Sequence, residues 1–124
     1  VKYLILIHSN PASREIWESF SEEQKAEGFT YYGRIVDDLV ASGELVVTHA
    51  LADPSVAKTV TVREDGATVT TDGPFAEAKE QLAGFFLVEC ETPERAVEIA
   101  ARMPEAHFGL IEVRPILDLG GMEM

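Results

Sequence analysis

At 124 residues, with 46% hydrophobic and 26% charged side chains, the chain fits one globular domain with a real core, and composition excludes both disorder and two independent domains. A net charge of -12, from 22 acidic and 10 basic residues, repels phosphate backbones, so no direct nucleic acid partner is expected. No apolar run approaches the roughly 20 residues of a membrane-spanning helix, which leaves no membrane partner and a cytoplasmic location as the expectation.

In chain order, Lys2 to Ile7 is apolar on both alternating faces apart from Lys2, and predicts a central strand covered on both sides. The run stops at His8 without a small-residue cleavage pattern, so it reads as a strand and not a signal peptide. Asn10-Pro11 opens a short helical turn carrying Ile16, Trp17 and Phe20. Ser21 and Gln24 form a capping-box pair; Phe29, Tyr32, Val36, Leu39 and Val40 then recur at helical spacing to a stop at Gly43, with Gly28 a possible break.

Leu45 to Ala50 is a second strand, and Asp53-Pro54 marks a loop. Residues 58–63 and 68–71 are rich in β-branched side chains and joined through Asp65-Gly66, which predicts a hairpin with polar outward faces. The stretch Asp72-Gly73-Pro74-Phe75-Ala76-Glu77-Ala78-Lys79-Glu80 leads into Leu82 to Val88, again a strand apolar on both faces. Cys90, the one cysteine, has no intrachain disulfide partner and ends an apolar run that predicts a buried thiol. Thr92 as N-cap with Pro93 starts a second helix through Ala96, Val97, Ala100 and Met103, ended by Pro104, and residues 110–116 form the last strand. The domain spans 1–118, and residues 119–124 form a tail, loose at Gly120-Gly121.

This order, β-α-β, an inserted hairpin, then β-α-β, is the α+β ferredoxin-like or split βαβ arrangement, whose right-handed crossovers place both helices on one face of the sheet. The two central strands carry large apolar side chains on the other face as well. An exposed patch of that size is unusual on a soluble monomer, so a symmetric homodimer packed sheet to sheet is expected.

Candidate polar chemistry gathers at one end of that sheet. His8 follows the first strand, His49 closes the second, and the 72 to 80 stretch enters the third; strands one removed lie roughly 10 Å apart, a span a small ligand can bridge. Asp72 reads either as an acid or base or as the cap of a short helix over residues 76–80. His8 reads as a general base or a strand-end histidine, and His49 likewise. Tyr32 on the long helix, Phe75, Lys79 as the cation among local acids, and Arg114, which can pair with a ligand carboxylate or a protein acid, complete the ligand-binding candidates. His107 falls in a polar loop. There is no Gly-rich phosphate loop, no nucleophile elbow and no His or Cys pair at metal spacing, so neither cofactor nor metal is expected.

The run from Asp72 to Glu80, continued by Gln81-Leu82-Ala83-Gly84-Phe85-Phe86, resembles the signature of the DGPFAETKE proteins, a branch of the YCII-related superfamily. The opening Lys2 to Ile7 and the closing Ile111-Glu112-Val113-Arg114-Pro115 are similar too. Ala78 replaces the usual Thr, and Ala83 a common Gly. The resemblance implies a dimeric α+β barrel, and it implies that members are often encoded beside extracytoplasmic-function sigma factors, hence a regulatory link. In better-studied relatives it implies a His on the first helix and an Asp before a Pro after the second. Those positions fall at Tyr32 and Met103, so that pair is not kept.

Overall fold

The computed structural model describes residues 1–119 and 122–123. Four strands, β1 (Lys2–Ser9), β2 (Leu45–Ala50), β5 (Gln81–Glu89) and β6 (Ile111–Pro115), form an antiparallel sheet in the order β2-β5-β1-β6. Strands β1 and β2 therefore run parallel with β5 between them, the split βαβ order. Helices α1 (Pro11–Ser19) and α2 (Glu22–Ser42) connect β1 to β2, and α3 (Pro93–Ala101) connects β5 to β6 through a 3-10 turn at Pro104–Phe108. The hairpin β3 (Lys58–Val62) with β4 (Thr68–Asp72) makes a separate two-stranded sheet. At the C-terminal end β7 (Asp118–Leu119) pairs with β8 (Met122–Glu123), and the expectation for Gly120-Gly121 lies outside the described residues. Among the described residues no helix is long and apolar enough to cross a membrane.

Local chemistry explains the helix boundaries. Asn10 Oδ1 accepts from the Ser13 amide at 2.8 Å while its own amide donates to Ser13 Oγ at 2.9 Å, which starts α1 as a full helix of 9 residues and not a single turn. Ser21 and Gln24 repeat the reciprocal pair at α2, at 3.1 and 2.9 Å. Gly43, at φ 78°, ends α2 in the left-handed conformation that favours glycine. Gly28 does not break the helix; a Cβ there would lie 3.2 Å from the Trp17 indole, so its lack of a side chain seats Trp17.

The core lies between one sheet face and the helices. Tyr3, Ile5 and Ile7 of β1 and Phe86 and Val88 of β5 meet Ile35 and Leu39 of α2 and Ala96, Ile99 and Ala100 of α3. Each large side chain enclosed there stabilises by about 1.5–3 kcal/mol relative to exposure. Two details correct the periodicity reading. On α2 the buried residues are Ile35 and Leu39, while Phe29 and Val40 stay exposed; on α3 it is Ile99 that is buried and Val97 that faces out. Both buried residues lie in the second half of α2, and its first half buries none. The hairpin faces are also less polar than expected, because Val60 and Val62 are exposed.

Strand pairing fixes the second face. Leu4 sits opposite Leu87 and Leu6 opposite Phe85, with Val47 beyond Leu87 on β2. All five are half-buried, and among the described residues no helix covers them, since the helices pack on the face of Ile5 and Phe86.

Candidate functional site

Strand β6 alternates apolar and charged residues, so Ile111 and Val113 face the core while Glu112 and Arg114 face the open side of the sheet, beside Leu6 and Leu4. His8, at the end of β1, joins them. Its Nε2 lies 3.6 Å from Glu112 Oε1, and Arg114 Nη2 donates to Glu112 Oε2. Glu112 thus stands between an imidazole and a guanidinium. The other ring nitrogen, His8 Nδ1, is closed off from solvent and has no hydrogen-bond partner among the described residues. A buried polar nitrogen left unpaired carries a desolvation cost of about 1–3 kcal/mol, so its position is informative.

The row continues across the sheet. The pairing of β1 with β5 slips between Ile7, opposite Gly84, and His8, opposite Leu82, a bulge of the kind that redirects side chains at a strand end. His49 on β2 pairs with Phe85 and packs against its ring edge to face at 5.9 Å. His8, His49, Glu112 and Arg114 therefore border one apolar surface made by Leu4, Leu6, Val47, Phe85 and Leu87.

Tyr32 does not belong to that set. Its ring stacks on Phe86, whose side chain points to the helix side of the sheet, opposite to Phe85. The Tyr32 hydroxyl donates to Glu105 Oε1 in the 3-10 turn after α3. Burial first, then that bond to a carboxylate, pushes the phenol well above its ordinary range, so it is a fixed donor and not an acid at neutral pH. Met103, the second position that the resemblance singles out, is fully buried.

The 72 to 80 stretch is likewise not assembled with the histidines into an enclosed pocket. Asp72 is the last residue of β4; its side chain is 84% exposed and its Oδ1 accepts from Lys58 Nζ at 2.6 Å across the hairpin. The expected helix over residues 76–80 does not form. One turn, closed by the Ala78 amide on the Phe75 carbonyl at 3.2 Å, is what remains, because five residues provide too few hydrogen bonds to offset helix nucleation. Asp72 consequently caps nothing. Phe75 is 75% exposed and Lys79 is exposed in the same loop.

Two partners escaped the sequence reading. Glu112 had a visible signal, the period-2 pattern Ile111-Glu112-Val113-Arg114; Glu105 had none beyond a charge two residues after Pro104. Among the described residues no group of three or more His, Cys, Asp or Glu is placed to hold a metal ion. Cys90 is buried, and burial followed by the charge of Glu44 pushes its thiol up, away from the thiolate a nucleophile needs.

The profile of the YCII-related domain matches residues 1–120. The chain is also 30% identical over 116 residues to the uncharacterized protein R00369 of Rhizobium meliloti (strain 1021), covering 92% of this chain and 90% of that protein. A match of that extent over one continuous α+β unit places the chain in the YCII-related domain family.

Proposed function

We propose that the protein is a homodimeric small-molecule binder, in which two copies pack through their open sheet faces and enclose a ligand beside His8, Glu112, Arg114 and His49. The observation that carries this reading is the polar row on the open sheet face: His8 Nε2 faces Glu112 and Arg114 donates to the same carboxylate, on the rim of an apolar surface that no helix covers among the described residues. A second copy would bury Leu4, Leu6, Phe85 and Leu87, and a ligand between the two sheets would meet the imidazole on its Nε2 side, beside Glu112. Arg114 is the cation of the row, so a small carboxylic acid, competing with Glu112 for the guanidinium, is the ligand class. The loop carrying Phe75 and Lys79 leads into β5, and in this reading it borders the cleft. The proposal is for binding, and no reaction is assigned to these groups. The regulatory link to a sigma factor rests on gene neighbourhood in the DGPFAETKE branch and adds no residue to it.

Sedimentation equilibrium tests the assembly. A dimer at micromolar protomer concentration is expected for the native chain and a monomer for Leu6→Lys; a native chain that stays monomeric would remove the enclosed site. Thermal unfolding in the presence of small carboxylic acids then tests the ligand. A rise in Tm that disappears in Arg114→Gln is expected, and a dimer that none of these acids stabilises would reject the ligand class while leaving the assembly intact.

A further inference from the structure

We propose that the corner between α1 and α2 is a docking surface for a basic amphipathic helix of another protein. Nothing in α1 is buried. Trp17 on α1, Phe20 just after it and Phe29 in the first half of α2 form an aromatic cluster, with Trp17 37% and Phe29 70% exposed and Ile16 exposed beside Trp17 in sequence. The rings are organised: Trp17 meets Phe20 at 5.9 Å and Phe29 at 5.5 Å, both edge to face. Their seat is rigid, since the capping pairs at Asn10 and Ser21 fix both helix starts, the Phe20 amide bonds the Trp17 carbonyl at 3.1 Å, and Gly28 receives the indole. Clustered, preorganised aromatics of this kind are what binding hot spots are made of, and isolated exposed residues are not.

Charge selects the occupant. Within residues 14–29 the acids are Glu15, Glu18, Glu22, Glu23 and Glu27, all exposed, against Arg14 and Lys25, which are both half-buried, a local balance of -3. Arg14 is further turned inward, with Nη1 3.2 Å from Ser9 Oγ. An aromatic centre carried on two helices whose exposed charges within residues 14–29 are acidic attracts an apolar helix face flanked by Lys or Arg, and it repels an anionic membrane surface. It also disfavours the same patch of a second copy, because a two-fold contact would set acid against acid.

Trp17 is the only tryptophan of the chain, which makes its fluorescence a local reporter. The full chain is titrated with a short synthetic helix bearing a leucine face and lysines on the remainder, and with its counterpart in which glutamate replaces lysine. The lysine peptide is expected to shift Trp17 emission to the blue, saturably, with affinity falling about tenfold or more when salt is raised to about 0.5 M. Phe29→Ala, at an exposed position and with unchanged circular dichroism, is expected to lose most of that affinity. Equal binding of the glutamate peptide, or unchanged binding of the lysine peptide to Phe29→Ala, would overturn the proposal. So would a blue shift that grows with the protein's own concentration, since the occupant would then be a second copy.

Discussion

Glu44, placed between the end of α2 and the start of β2, is a sharp test of how this fold is held. Its carboxylate accepts from Arg95 Nε at 2.9 Å and Nη2 at 2.8 Å, a two-point contact from α3, and from Ser42 Oγ at 2.8 Å. Hydrogen bonding by Arg95 outweighs the burial that opposes it and lowers the Glu44 pKa from 4.5 to about 2. A depressed carboxylate stabilises the folded chain fully above its unfolded value and loses that contribution as pH falls through its folded value, so the window is pH 4.5 down to about 2. For an enclosed pair, a drop of that size corresponds to about 3 kcal/mol. Arg95 is 41% exposed, however, and solvent screening reduces the figure to about 1–2 kcal/mol. Glu44→Gln keeps the shape and removes the charge. Urea unfolding at fixed protomer concentration, from pH 7 to pH 2.5, is the assay, with an unchanged m value as the check that the unfolded state is comparable. The native chain is expected to exceed the variant by about 1–2 kcal/mol at pH 7, the gap closing as the carboxylate protonates. A gap that stays constant across the range, or is absent at pH 7, would show that packing and not charge ties α3 to β2.

Two further substitutions probe the sheet and the hairpin. Gly84→Ala would put a Cβ 2.9 Å from the His49 carbonyl oxygen and 3.4 Å from the Ala50 Cα, both backbone atoms, so β2 must move away; a loss of about 1–3 kcal/mol in urea unfolding is expected, and a neutral result would contradict the close approach of β2 and β5. Asp72→Asn removes an exposed ion pair with Lys58 and is expected to change stability by no more than about 0.5 kcal/mol; a loss above about 2 kcal/mol would show that the hairpin depends on that charge.

The elements legible in the sequence are those with local causes. The pair Ser21 and Gln24, the Thr92-Pro93 start, the left-handed Gly43 and the Asp65-Gly66 turn each act within a few residues, and each stands where the spacing puts it. Faces were harder to read, because they depend on partners distant in sequence. Residues 28, 32, 35 and 39 of α2 and residues 29, 36 and 40 form adjacent helical stripes, and only the position of the sheet under the second half of the helix decides which one is buried. Tyr32 lies on the first of these, so it was drawn to Glu105 and Phe86 and away from His8 and Arg114, with the sheet between them. Glu112 was readable from alternation alone. Its contact with His8 required the β1–β6 register, which pairs Leu6 with Glu112 and leaves His8 just beyond.

The most distinctive stretch of the sequence and the best-built polar row of the structure therefore lie on different elements, and the reason is architectural. A two-stranded hairpin is marginal by itself, and β3 and β4 form no ladder with the main sheet. Its base has to be closed by other means. Gly73, at φ 91°, takes a conformation that side chains disfavour, and its amide donates to the Ala57 carbonyl at 2.7 Å, directly beside the pair of Lys58 with Asp72. Pro74 then stiffens the exit, and the Gln81 side chain binds the Ala78 carbonyl at 2.9 Å as the chain enters β5 opposite Ser9. Gly and Pro in this order are accounted for by closing a hairpin and delivering the chain to the central strand in register, while Asp72 adds only an exposed ion pair with Lys58. A signature of that origin can be specific for a fold, while the polar row of His8, Glu112 and Arg114 is assembled on other elements, by the alternation in β6 and the β1 bulge at His8.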